Sequence, residues 1–274
     1  MIAEALGRSV AAWLAVVATT LVLAGCAPST PAAAQRGTVV VVFIDFSQSI
    51  TADDRASFRR EIENEILPSL GEGDRLLIAA IHDKTLTDFR PLVDATLPAR
   101  PTFNGFFDNV LKFNRKAKEV ETEVTRVKEK TRAEVAHVFA KRYAAPQTDI
   151  FSSLLIAEKL FHAESRRKVL VLMSDMIEDN PPYDFERMAW SPATIDRTLS
   201  ELSAKGQMSK LTGVCVYVSG ASAKSALIAE NIGRFWEAYF RRAGADLDPS
   251  RYAHVLLHWP PAESCSPMSR TRST

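Results

Sequence analysis

The chain has 274 residues, 46% of them hydrophobic and 24% charged, with 34 basic against 33 acidic side chains and a formal charge of +1. That is the composition of an ordinary globular chain, long enough for one large domain or two small ones. The near balance of charge gives no reason to expect nucleic acid as a partner, and no recognition motif for it is present.

Residues 1–25 read as an export signal. Arg8 supplies a basic start, and an almost unbroken apolar run follows over residues 10–22. The run is short for a membrane span of about 20 residues and suits a signal-peptide core. It ends in LAGC, residues 23–26, which resembles the bacterial lipobox. The resemblance implies cleavage before Cys26 and acylation of its thiol. The mature chain is then expected to be a membrane lipoprotein of the cell envelope, facing the periplasm. Ala27 in place of an Asp resembles the signal for outer-membrane sorting in a cell that has an outer membrane. The alternative is a plain secretory signal or an uncleaved anchor. Residues 26–36 comprise the lipidated Cys and a short Pro-containing tether. Two cysteines remain, Cys215 in an apolar run and Cys265 near the end. An oxidising compartment permits a bridge between them; otherwise Cys215 reads as a small buried hydrophobe.

The domain is expected over residues 37–259. VVVVFID, residues 39–45, is a continuous β-branched run, the pattern of a central parallel strand buried on both faces. An amphipathic helix is expected over 52–67, with Thr51 as its cap. DRLLIAAIH, residues 74–82, is a second buried strand, and 85–93 reads as a polar edge strand. From about 104 to 143 apolar residues step by three or four along a charged background. This predicts a helix of roughly 35–40 residues, about 50–60 Å long if unbroken. Such a helix projects, bends back, or splits near Ala133. A helix from Ile150, a buried strand over 168–174, an acidic and aromatic loop over 176–191 and a helix over 192–205 follow. A strand at 212–218, a helix at 222–243 and a strand at 253–259 complete the domain, and 260–274 read as a loose tail. The alternation predicts an α/β fold, a doubly wound, mainly parallel sheet with helices on both faces.

Ligands of such sheets sit at the C-terminal ends of the strands. There the chain places Asp45, Ser47 and Ser49 after the first strand, Thr148 before a helix and Asp175 after the third parallel strand. All five are hard oxygen donors, suited to Mg²⁺, Mn²⁺ or Ca²⁺ rather than zinc. DFSQS, residues 45–49, matches the DxSxS signature of von Willebrand factor A domains. Thr148 and Asp175 stand where that family's metal-ion-dependent adhesion site has its Thr and second Asp. The resemblance covers nearly all of residues 37–259. It implies a Rossmann-like A-domain fold in which Ser47 and Ser49 bind the metal directly, Thr148 directly or through water, and Asp45 and Asp175 directly or through bridging water. It also implies that a partner protein completes the shell with an Asp or Glu.

Met176 stands where the family often has Gly, and Glu178, Asp179 and Asp184 are additional acids. Glu178 or Asp179 either closes the metal site or joins Tyr183 and Trp190 on a rim for the partner. Phe185 and the two aromatics serve as that rim or pack the loop down. The structural alternative for the five donors is that they cap helices and satisfy loop amides. The five histidines are dispersed, and none reads as a ligand. The expectation is a membrane-anchored, Mg²⁺-dependent binding module, with Mn²⁺ or Ca²⁺ as alternatives, and not an enzyme. The alternatives are a metal-dependent phosphoester hydrolase, or an envelope assembly factor acting through the long helix. No GxSxG, GxxxxGK[ST] or GxGxxG motif is present.

Overall fold

Alternate side chains of β1 (Thr38–Asp45) enter two different cores. Val39, Val41 and Phe43 point to one, Val40, Val42 and Ile44 to the other, and none of the six is more than 3% exposed. This is why the run carries no polar break: a strand with helices on both faces has no solvent side. The protein is seen here in a computed structural model that describes residues 37–262, apart from 104, 106–108, 142 and 144. The expected signal peptide, Cys26, the tether, Cys265 and the tail from 263 onward lie outside the described residues.

The sheet has five strands in the order β3-β2-β1-β4-β5. β2 (Arg75–Ile81) and β4 (Arg167–Met173) flank β1 in parallel, and β5 (Val214–Ser219) adds in parallel to β4. β3 (Val93–Thr96) is antiparallel to β2 at the edge. The architecture is the expected α/β one, a mainly parallel sheet between two helical layers. One layer contains α1 (Ala52–Glu61) and the C-terminal part of α2 (Val110–Ala140). The other contains α3 (Ile150–His162), α4 (Pro192–Ala204) and α5 (Ala226–Ala243). The direction of winding reverses between β1 and β4, and the crevice for a ligand opens there.

Several boundaries differ from expectation. α1 runs on through a π-helical turn, Ile62–Ile66, and a last turn, Leu67–Ser69. The expected edge strand at 85–93 is mostly turn; Thr85 closes it by accepting from His82 N at 2.8 Å and donating to His82 O at 2.6 Å. The ladder begins only at Val93, which alternates buried and exposed positions. The strand expected at 253–259 does not form. A bridge to β5 pairs Val218 with Tyr252, just before that segment, Ala253 N donates to Val218 O at 3.3 Å, and the chain then crosses to α1. There Glu61 Oε1 accepts from Leu256 N at 3.1 Å, and Trp259 Nε1 donates to Ser69 Oγ at 2.9 Å. Side-chain anchors outcompete the ladder beyond the first bridge.

The long helix is a single piece. α2 spans 31 residues, about 46 Å at 1.5 Å per residue, without a break at Ala133. Asn109 caps it by accepting from Leu111 N at 2.9 Å. Thr131, Val135 and Val138 are buried, and Lys128 and Arg132 donate to the Pro68 and Glu63 carbonyls of the α1 extension. Val110 and Leu111 at its start are 57% and 78% exposed. Only the C-terminal half of the apolar stripe is used by the core.

Candidate metal centre

β1 ends at Asp45 and β4 ends one residue before Ser174-Asp175, so two neighbouring strands deliver carboxylates to the same rim. Asp45 is fully buried. Its Oδ1 accepts from Ser47 N at 2.8 Å, which turns the chain so that Ser47 and Ser49 present their hydroxyls together, 3.0 Å apart. Its Oδ2 accepts from the Ser174 hydroxyl at 2.8 Å. Asp175 is 5% exposed; its Oδ1 accepts from Ile177 N at 2.9 Å, and the Ser49 hydroxyl bonds to its side chain. Asp45, Ser47, Ser49 and Asp175 therefore form one hydrogen-bonded cluster.

Thr148 reaches the same rim by a different route. Ala145 N donates to Phe46 O at 3.3 Å, and Ala145 bridges Ser47 in parallel, which docks the 145–149 loop beside the first loop. Thr148 is buried, and its N–H donates to Asp179 Oδ1. The guanidinium of Arg55 ties the two loops, donating to Phe46 O, Ser47 O and Tyr143 O at 3.2–3.3 Å. Nothing in the local sequence marks Arg55 for this task beyond its place in the first turn of α1. Ser174 had a clearer signal, as the residue between a buried strand and a site Asp.

The electrostatics suit a cation. Burial, and after it the charge of Asp45, pushes the Asp175 carboxyl up to about 7. Burial likewise raises Asp45, with Asp179 adding to the effect. Two carboxylates and three hydroxyls make an all-oxygen donor set, and a divalent cation between them would offset the burial that raises both acids and the charge of Asp45 that adds to it at Asp175. The residues present therefore fit Mg²⁺, Mn²⁺ or Ca²⁺. Among the described residues no group of three or more His, Cys, Asp and Glu side chains is gathered for a metal, so a centre here depends on its hydroxyls.

The acidic loop sorts itself. Glu178 turns away from the cluster: its Oε2 accepts from Ile150 N at 2.7 Å and Phe151 N at 3.2 Å, at the start of α3. It neither closes the metal site nor stands on a rim. Asp179 is the acid beside the site. Tyr183 and Phe185 are buried, with rings against Phe151 at 5.1 and 6.0 Å. Trp190 is half-buried, and its Nε1 donates to Phe185 O at 3.1 Å. These aromatics pack the loop onto α3 and α5 rather than facing a partner. Met176 adopts φ 67° with its side chain fully buried.

No family model matches the chain, and no curated protein sequence matches it. Among solved structures it is similar to proximal thread matrix protein 1 from the mussel byssus, at 12% identity and a TM-score of 0.41, over 80% of this chain and 44% of that one. It is also similar to a von Willebrand factor type A protein from Catenulispora acidiphila, at 15% identity and 0.38, over 77% and 44%. A third is the manganese-loaded TRAP protein of Plasmodium vivax, at 10% identity and 0.38, over 78% and 76%. The chain spans less than half the length of the first two of these proteins.

Proposed function

We propose that the chain is an A-domain-type binding module that engages a protein partner through a divalent cation held by Asp45, Ser47, Ser49, Thr148 and Asp175. The observation that carries the reading is the cluster itself. Two buried carboxylates at the ends of adjacent strands each meet a hydroxyl at the crevice between β1 and β4, Asp45 that of Ser174 and Asp175 that of Ser49, and Ser49 in turn bonds Ser47. Helix capping does not account for Asp45: the helix that follows β1 is capped by Thr51, and beyond the loop amide of Ser47 the Asp45 carboxylate accepts from the Ser174 hydroxyl.

Mg²⁺, once bound, supplies a positive centre to which an Asp or Glu of the partner adds as a further ligand. The hydroxyls of Ser47, Ser49 and Thr148 contribute oxygen without charge, so the ion keeps attraction for an incoming carboxylate. Asp45 is held in place by Ser174 and Ser47 N, and Arg55 locks the two loops that carry the hydroxyls. The role is binding rather than catalysis.

The module is read as an exported lipoprotein, acylated at Cys26 and facing the periplasm. Cys215 supports export: it is buried in β5 and disulfide-bonded, which suits an oxidising compartment. Its expected partner, Cys265, lies outside the described residues. Among the described residues no helix is long and apolar enough to cross a membrane.

The test is affinity purification of the tagged lipoprotein with Mg²⁺ and with EDTA, alongside Asp45→Ala. A partner lost both with EDTA and with Asp45→Ala, from a chain that still melts cooperatively, is expected. Retention of that partner by Asp45→Ala would overturn the reading. Retention there, with loss on removing residues 112–138, moves the function to α2. Phosphoester turnover in Mg²⁺ or Mn²⁺ that Asp45→Ala abolishes would replace binding with hydrolysis.

A further inference from the structure

A second polar site lies under the acidic loop, on the side of Glu178 that faces away from the first. A cavity of about 50 Å³ opens there, lined by Asp149, Ser152, Glu178, Asn180, Tyr183 and Gln207 among others. Two polar atoms of its lining residues, Glu178 Oε1 and the Tyr183 hydroxyl, are buried and have no hydrogen-bond partner among the described residues. Glu178 is 1% exposed and Tyr183 is 8% exposed. A buried carboxylate oxygen and a buried phenol without partners each carry a desolvation cost, so their meeting at one cavity needs a third group between them.

The charge around the cavity says which kind of group. Asp149 and Glu178 both line it, and after burial it is the charge of Asp149 that pushes Glu178 well above the usual glutamate range. The amides of Phe151, Ile150 and Asn180 offset part of this, the first two through Oε2. Asp149 caps α3 by accepting from Ser152 N at 2.9 Å. The nearby cation is Lys205, whose Nζ lies over the Tyr183 ring, 5.9 Å from its centroid, and so not on the carboxylates. The cavity therefore has an excess of acid, and each polar side chain that lines it, the amides of Asn180 and Gln207 included, can offer an oxygen.

We propose that this cavity is a second cation site, a calcium site formed by Glu178 Oε1, the Tyr183 hydroxyl and Asp149, independent of the cluster at Asp45. Calcium is favoured over magnesium because the oxygens come from a helix start and a loop, an irregular set. Calcium accepts six to eight oxygens with variable geometry and fills the remainder with water, whereas magnesium demands a near-ideal octahedron. A filled site joins the 176–191 loop to the start of α3, two residues from Thr148. The same loop carries Asp179, which holds Thr148 N. Calcium is thus a brace for the arm that presents Thr148.

The experiment is calcium titration of the full chain by calorimetry, with CaCl₂ alone as the probe. In the Asp45→Ala chain one calcium per chain is expected to remain, with affinity reaching at least the millimolar range of extracellular calcium modules. Adding Glu178→Gln is expected to weaken that binding by more than about tenfold, since loss of outer-shell partners alone costs that much. Glu178 also caps α3, so a melt must show Glu178→Gln folded. Tyr183→Phe removes one oxygen and no cap, and is expected to weaken calcium without lowering the melting temperature. No calcium bound by Asp45→Ala, or binding unchanged by Glu178→Gln and Tyr183→Phe together, means that water alone fills the cavity and overturns the proposal. If Asp45→Ala leaves the calcium stoichiometry of the wild type unaltered while Glu178→Gln lowers it, the adhesion-site reading fails and this one stands.

Discussion

The Ser174 hydroxyl donates to Asp45 Oδ2 at 2.8 Å and accepts from Met176 N at 3.0 Å, so one side chain joins the end of β1 to the turn after β4. All three groups are buried, and the bond fixes the rotamer of the carboxylate on which the cluster is built. Ser174→Ala leaves an acceptor and a donor without partners. The expected loss is about 1–3 kcal/mol of unfolding free energy, read from urea melts. Affinity for Mg²⁺ is expected to fall by about 10- to 100-fold, as for other groups that orient a ligand from behind.

Met176 sets two effects against each other. Its φ of 67° costs a non-Gly residue about 1–2 kcal/mol, which Met176→Gly relieves. Its side chain is fully buried in the core formed with α3 and α5, and truncating a buried Met costs about 2–5 kcal/mol. Packing wins, so Met176→Gly is expected to lower stability by about 1–3 kcal/mol in urea melts. A more stable Met176→Gly chain would show that the backbone strain is the larger quantity.

Glu61 gives the fold a pH dependence. It accepts from the Ser219 hydroxyl at 2.6 Å and from Leu256 N, yet burial outweighs both bonds and raises its carboxyl above the ordinary glutamate value. The folded state then holds the proton to a higher pH than the unfolded state does. The associated stability is full below the unfolded-state value and is lost as pH rises through the folded one. Melts over a pH series are expected to show wild type falling relative to Glu61→Gln from the ordinary glutamate range upward, with the difference constant below it. A gap that stays flat across the series means that Glu61 titrates alike in both states.

A cation bound only by the folded chain stabilises it by mass action. At a hundredfold excess over the dissociation constant the gain is about 2.7 kcal/mol. MgCl₂ is expected to raise the melting temperature and EDTA to return it, and Asp45→Ala is expected to remove the part of the shift that belongs to the first site. No change of melting temperature with MgCl₂, MnCl₂ or CaCl₂ would count against both cation sites.

Much of this was written in local pattern. The unbroken run at 39–45, the alternation of strands with amphipathic helices and the positions of Asp45, Ser47, Ser49 and Asp175 after buried strands are short-range features, and they led to the right sheet and the right rim. Where burial depended on a distant segment, the pattern misled. The stretch at 253–259 looks like a strand, but Glu61 and Ser69 on α1 capture its Leu256 amide and Trp259 indole first. Tyr183 and Trp190 read either as contact residues, since aromatics are enriched at interfaces, or as packing for their loop, and the second holds. Their rings are taken up by Phe151 and Phe185, which local spacing does not reveal.

By itself the sequence determined which residues lie at the C-terminal ends of the central strands, because a strand buried on both faces must be apolar until it stops. Only the tertiary structure decided what each acid of the 176–191 loop does. Glu178 turns to the start of α3, Asp179 turns to Thr148, and Asp175 stays with Ser49, although the three lie within five residues of one another. Their chemistry is nearly the same along the chain. What separates them is the donor each meets, and those donors come from the loop after β1 and from the start of α3 with the loop before it, brought into reach by the order in which the strands pack.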